Sequence, residues 1–179
     1  DRAEDLRRFG AIEQVDFSGS DFSDSRWHDL DYCPRLDLRN ANLSGASFQS
    51  TPLVGADLRG AQLVNASFDQ VDISLSKLDD CDIAESHWKS SELVGVQAGS
   101  MTNAASARFE QCPILSAELP ASLTSKLKSD DILRPGDSLF VDASCQYKHV
   151  ISEMCVAKGL RYEVVSFDLW TRDAYFRAV

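Results

Sequence analysis

Cys145 and His149 stand four residues apart, a spacing that on a helix brings a thiol and an imidazole to one face. Near a helix N-terminus the thiolate is favoured, the histidine could take its proton, and Asp142 could orient the ring. That constellation would support nucleophilic catalysis. No further motif surrounds it, and cysteine is commonly a buried core residue, so the three are candidates only and no catalytic residue is assigned. Metal chemistry finds less support still. His28, His87 and His149 are widely separated, no His and carboxylate cluster has ligand spacing, and the five cysteines include no CxxC pair. Cys33, Cys81 and Cys112 read as reduced, structural residues. The turn Arg134-Pro135-Gly136-Asp137 has one glycine and no phosphate-loop pattern. No cofactor and no metal are expected.

The elements that would position any site follow from a period of five. Large apolar residues recur at Leu38, Leu43, Phe48, Leu53, Leu58, Leu63, Phe68, Ile73, Leu78, Ile83, Trp88 and Leu93 without a gap. Two residues before each stands a mostly small one, among them Ala41, Ala46, Ala56, Ala61, Ala66, Ser76, Cys81, Ser86 and Ser91, with Leu36 the exception. The pattern runs earlier in a shifted phase at Phe17, Phe22, Trp27 and Tyr32 and returns at Phe109 and Ile114. Neither a helix nor a strand repeats every five residues, so the chain must turn a corner about once per repeat and send two residues of five inward.

Ala41-Asn42-Leu43-Ser44-Gly45 and Ala56-Asp57-Leu58-Arg59-Gly60 match the A(D/N)LXX motif, and the chain resembles the pentapeptide-repeat family from about Val15 to Ser116. The resemblance implies a mainly β fold, a right-handed quadrilateral β-helix in which four repeats complete one coil, here about five coils. Residues 20 apart should then stack, or 21 apart across a phase slip. The expected ladders are Trp27, Phe48, Phe68, Trp88, Phe109; Tyr32, Leu53, Ile73, Leu93, Ile114; Phe22, Leu43, Leu63, Ile83; and Phe17, Leu38, Leu58, Leu78. The aromatics fall almost entirely on the first. Between Leu93 and Phe109 the slots fall on Ala98 or Gly99 and Asn103 or Ala104, which predicts a loosened coil or protruding loop.

Beyond Pro113 the rhythm dies out. Pro120 opens a short helix to near Lys128, Ser138–Asp142 reads as a buried strand, Ser144 caps a helix from about Cys145 to Lys158 closed by Gly159, and Arg161 to Phe167 alternates as a second strand. A further helix starts near Leu169. The chain thus divides into an N-terminal helical cap at residues 1–14, a pentapeptide-repeat β-helix at 15–116, and at 117–179 a small C-terminal α/β (βαβ) module, either a cap over the last coils or the start of a second domain. The 179 residues leave no room for several full domains. The missing initiator Met and a helical pattern running to Val179 fit a piece of something longer.

Charge follows the same boundary. The chain carries 28 acidic and 18 Lys and Arg residues, net -10. Residues 15–119 hold 16 acids and 7 bases, hence -9. A direct nucleic-acid ligand is not expected from such a balance. No apolar run approaches the roughly 20 residues that span a bilayer, and the charged first ten residues do not resemble a signal peptide. A cytoplasmic location is expected, or a host cytosol for a secreted bacterial effector. The function expected is a non-catalytic protein-protein interaction scaffold presenting an acidic β-helical surface, with Asp79, Asp80, Asp82 and Glu85 as binding residues and another protein as partner; a homodimer is an option. The family resemblance implies two alternatives: a DNA mimic that binds a type II topoisomerase, and a partner-recruiting fragment of a larger enzyme such as a HECT-like ubiquitin ligase.

Overall fold

A computed structural model describes residues 15–28, 36–115, 117–125, 127, 132–142 and 148–165. The expected N-terminal helix, Tyr32, Cys33, Ser144, Cys145 and the helix from Leu169 lie outside them. Strands β1 (Val15–Asp16), β2 (Arg26–His28), β3 (Leu36–Asp37), β4 (Ser47–Gln49), β5 (Ser67–Asp69), β6 (His87–Lys89), β7 (Leu93–Val94), β8 (Arg108–Glu110) and β9 (Ile114–Leu115) are short because each is one side of a four-sided coil. All their pairings are parallel.

The corners explain why so short a repeat closes. In most described repeats the second residue after the central apolar side chain takes positive φ, at Gly19, Gly45, Gly55, Gly60 and Gly95 but also at Asn40, Asn65, Asp80 and Glu85. In most repeats the next amide bonds back to the central carbonyl, as Ala46 N to Leu43 O at 3.0 Å and Ala61 N to Leu58 O at 2.9 Å. A positive φ at the third residue and a bond from the fourth to the first define a type II β-turn. Glycine and asparagine suit it; Leu75 at φ 60 is held there by its surroundings.

Four faces result, numbered in chain order. The first has Phe17, Leu38, Leu58 and Leu78 inside, the second Phe22, Leu43, Leu63 and Ile83, the third Trp27, Phe48, Phe68, Trp88 and Phe109, and the fourth Leu53, Ile73, Leu93 and Ile114. On the third face, sheet order β2-β4-β5-β6-β8 pairs Trp27 with Phe48, Phe48 with Phe68, Phe68 with Trp88 and Trp88 with Phe109. Five stacked strands span about four full turns. The rings stack throughout, Phe68 on Trp88 at 3.8 Å between centroids and 7° between planes. Both phase slips are present as 21-residue steps, from Trp27 to Phe48 and from Trp88 to Phe109.

The last turn differs from expectation. It stays closed: Gln97 N bonds to Ser76 O at 3.0 Å and Thr102 N to Cys81 O at 2.8 Å. Ala98 and Ala104 fill the large-residue slots, and Met101 is buried in the column where Ala41, Ala61 and Cys81 stack below it. A large flexible side chain in the small slot makes up the volume lost in the large one, so no loop protrudes. The single inserted residue falls between Thr102 and Arg108, since Asp82 bridges Thr102 at a step of 20 and His87 pairs with Arg108 at a step of 21.

Beyond the coil, Glu118 adds a rung above Gln97 and Ile132 one above Ile114. Helix α1 is shorter than expected, Ala121–Thr124, and buries Leu123 against the main core. Strand β10 (Ser138–Asp142), helix α2 (Lys148–Ala157) and strand β11 (Arg161–Val165) form the βαβ unit, with β10 and β11 parallel. The expected strand end at Phe167 lies outside the described residues.

This unit lies along the flank of the coil. A second apolar cluster joins Val54, Val94 and Leu115, on the outside of the fourth face, to Leu139, Ile151, Cys155 and Leu160, with Leu75, Leu133 and Met154 packed on it. Sequence spacing led to the expectation of a cover over the last coils. Segment 117–133 carries the residues that extend and cover the end, and the βαβ unit follows the apolar stripe on the side, because only there do outward positions offer Val, Leu and Val in line.

Candidate interaction surface

The binding residues picked from sequence lie on one turn. Asp79 and Asp80 follow Leu78 on the first face, Asp82 precedes Ile83 on the second, and Glu85 stands at the following corner. Asp80 and Glu85 are exposed, Asp79 and Asp82 half-buried, and all four lie outside the core. Their backbone is fixed from above: Asp80 N donates to Ser100 Oγ at 3.1 Å, and Glu85 N to Ser106 Oγ at 3.0 Å. Asp82 accepts from Ala84 N at 3.0 Å and from Asn103 Nδ2 at 2.9 Å. Asp79 accepts from the Ser100 hydroxyl at 3.3 Å. The Asp79 and Asp82 carboxylates are thus held on either side of one corner, with Asp80 on a fixed backbone at that corner and Glu85 likewise at the next.

The faces are charged unequally. Outward positions of the second face carry Asp21, Asp24, Asp82 and Glu85 beside Asn42, Gln62, Ser44 and Asn65, with no Lys or Arg among the described residues. The first face carries Asp16, Asp37, Asp57, Asp79 and Asp80, but its middle is balanced. Arg39 pairs with Asp37 and Arg59 with Asp57, each at 2.6 Å. The guanidinium hydrogen bonds hold the Asp37 and Asp57 carboxyls below the usual carboxylate range, and the Ser18 hydroxyl and amide do the same for Asp16. The third face is mixed, with Arg26, Lys89 and Arg108 against Asp69 and Glu110. The fourth is covered by the βαβ unit.

Among the described residues no catalytic grouping emerges. His149 is exposed near the start of α2, Asp142 ends β10, and Cys145 lies outside the described residues. Cys81 and Cys112 are buried in the coil. Burial pushes the Cys81 thiol up to about 12, and burial together with the Glu92 carboxylate raises Cys155, so neither is activated. Among the described residues no three His, Cys, Asp or Glu side chains are grouped to hold a metal, and no helix is long and apolar enough to cross a membrane.

The stripe Val54, Leu75, Val94 and Leu115 was not singled out from sequence, although it left a signal. Val54, Val94 and Leu115 are apolar in the slot after the central residue, which polar residues fill in most other repeats, Val64 and Ala84 excepted; Leu75 is apolar in the following slot, where Gly, Asn, Asp, Ser, Gln or Glu stands elsewhere.

A four-sided parallel β-solenoid with an inward apolar residue every fifth position is the architecture of pentapeptide repeats. The family model described as pentapeptide repeats (8 copies) matches residues 34–60, so the chain carries repeats of the pentapeptide-repeat family. No curated protein matches the sequence. Among solved structures it is similar to a pentapeptide repeat protein of the Arabidopsis thaliana thylakoid lumen, at 24% identity over 67% of this chain and 72% of that one, TM-score 0.41. It is also similar to HetL, a pentapeptide repeat protein involved in heterocyst differentiation regulation in the cyanobacterium Nostoc, at 21% identity over 63% and 56%, TM-score 0.37. A third is trypsin-treated QnrB1, a plasmid-mediated fluoroquinolone resistance protein, at 14% identity over 91% and 82%, TM-score 0.32. The family assignment rests on the repeat.

Proposed function

We propose that the protein is a non-catalytic interaction scaffold that meets another protein through the corner between its first and second faces. The observation that carries this reading is the set Asp79, Asp80, Asp82 and Glu85 on one turn, with Asp80 and Glu85 exposed and their backbone fixed. A preorganised acidic patch loses little conformational entropy on binding and steers a basic partner toward it. Binding of a type II topoisomerase by duplex mimicry is the second reading. It would call for acid around most of the girth, whereas Arg26, Lys89 and Arg108 on the third face and the covered fourth face confine it to one side. A one-sided contact is therefore preferred.

Affinity capture at low and high salt, comparing the natural protein with a variant carrying Asp79→Lys, Asp80→Lys and Asp82→Lys, tests the proposal. A partner held at low salt, released at high salt and lost in the variant supports it, because exposed charge contacts are screened beyond about 8 Å at physiological ionic strength. Salt-insensitive capture that survives the reversal overturns it. A supercoiling assay with purified gyrase reads the second alternative directly: inhibition by the natural protein and none by the variant would favour mimicry.

A further inference from the structure

The first face differs from the others in how its charges are laid out. On either side of the buried central residues two columns point outward. One runs Asp16, Asp37, Asp57, Lys77, Gln97, bridged rung to rung, and the other Ser18, Arg39, Arg59, Asp79, Gly99. Three successive rungs therefore carry an acid and a base side by side: Asp37 with Arg39, Asp57 with Arg59 and, in reversed order, Lys77 with Asp79. Arg39 and Arg59 each bind their carboxylate through both Nε and Nη2, the Nη2 bonds at 2.6 Å. The paired groups stay open to solvent, the arginine side chains 47% and 45% exposed and the aspartates 27% and 24%.

Two such faces laid together about a two-fold axis parallel to the coil set each column of one copy against the other column of the second copy, rung on rung. Asp37 then faces Arg39, Asp57 faces Arg59 and Lys77 faces Asp79. Each charge keeps its neighbour within the rung and gains another of opposite sign across the contact. The flanking rungs are compatible, Asp16 facing Ser18 and Gln97 facing Gly99. Antiparallel copies bring like columns together. Asp57 and Arg59 are then matched only against Lys77 and Asp79, which leaves Asp37 and Arg39 against Gln97 and Gly99. No other face is complementary to itself in this way. On the third, the same operation sets Lys89 against His87 and Asp69 against Ser67, with Arg108 and Glu110 the one matched rung. The second carries acids without bases among the described residues, and the fourth is covered.

We propose that the first face is a self-recognition surface through which two copies of the chain associate side by side and parallel, matched by the alternating charges of Asp37 and Arg39, Asp57 and Arg59, and Lys77 and Asp79. Three rungs at about 4.8 Å bury well under the roughly 800 Å² per partner of a standard interface, and exposed ion pairs contribute little each, so the dimer is weak and sensitive to salt. It shares only Asp79 with the acidic corner and does not depend on that reading.

Sedimentation of the full chain at concentrations up to about 1 mM tests the proposal. In about 50 mM salt a monomer–dimer equilibrium is expected, with a dissociation constant that rises at least about tenfold in about 500 mM salt. Arg39→Glu with Arg59→Glu should weaken it by at least as much. The decisive variant exchanges the signs within two rungs: Asp37→Arg, Arg39→Asp, Asp57→Arg and Arg59→Asp. Its composition and net charge are those of the natural protein, and every rung remains complementary to its own copy. It should therefore dimerise with itself yet fail to mix with fluorescently labelled natural protein, because mixing sets Asp against Asp and Arg against Arg. Circular dichroism and a melting curve check that the variants fold. A natural chain that stays monomeric, a dimer indifferent to salt or to Arg39→Glu with Arg59→Glu, or free mixing of the exchanged and natural proteins overturns the proposal. So does a folded exchange variant that no longer self-associates, which would match antiparallel copies instead.

Discussion

The indole Nε1 of Trp88 donates to the hydroxyl of Ser86, two residues before it, at 2.9 Å inside the coil. Trp27 does the same to Ser25 at 2.8 Å. Where the stacked ring is Phe48, Phe68 or Phe109, which has no polar hydrogen, the residue two before is Ala46, Ala66 or Ala107. Serine thus accompanies the rings that carry a donor and alanine those that do not. Ser86 also donates to Ile83 O at 2.8 Å, so both of its capacities are used.

Ser86→Ala should cost about 1–3 kcal/mol, since it leaves a buried N–H without an acceptor. Trp88→Phe alone removes the donor but leaves volume unfilled. The double variant recreates the Ala–Phe pairing of the two turns below and should be more stable than the sum of the singles predicts, by about 1 kcal/mol. Urea titrations of the four proteins complete the cycle. Strict additivity would mean that the serine is selected for size alone.

Cys81 predicts a pH dependence. Its thiol donates to Leu58 O at 2.8 Å and burial lifts it from 9.0 to about 12. Between those values the unfolded chain has lost the proton and the folded chain retains it, so stability declines as pH rises through that window and the contribution is complete below about 9. Cys81→Ala, which continues the column of Ala41 and Ala61, should flatten that part of the profile. It should also remove the one thiol of this column, which in the native state reacts with thiol reagents only on unfolding. An alkaline profile identical in both proteins would contradict this.

The inward ladders were legible because one rule repeats: twelve consecutive hits fix phase, and the phase fixes what stacks on what. Where the rule is broken locally, reading failed. At Met101 the small and large slots exchange roles, which a search for large residues every fifth position cannot see, and a closed turn looked like a loop. The Ser–Trp pairing was visible in the letters, but it has meaning only once the ring column is known to be dry. At the acidic corner outwardness was legible and grouping was not; that Asp79 and Asp82 flank one corner depends on where the turn falls. Docking of the βαβ unit was least legible, since its contacts join residues such as Val94 and Ile151 that share no period.

That docking is open to a direct check. Val94 is fully buried beneath the unit, beside Ser74, whose hydroxyl is buried without a partner among the described residues. Gly95 follows it so closely under Met154 that an added Cβ would lie 2.8 Å from Met154 Cε. Val64 occupies the same repeat slot on the uncovered second face and is half-buried. Val94→Asp places a charge in an apolar contact, a cost the molecule can escape by releasing the flank unit while every rung of the coil stays bonded. Hydrogen exchange should then show residues 138–165 losing protection while the amides of Leu53, Ile73 and Leu93, bonded to Asp72, Glu92 and Pro113 carbonyls, keep it. Val64→Asp should shift stability by no more than about 0.5 kcal/mol and leave exchange unchanged. If Val94→Asp unfolds coil and flank together, the unit is an integral part of one cooperative structure; if it changes neither, the fourth face does not depend on its cover.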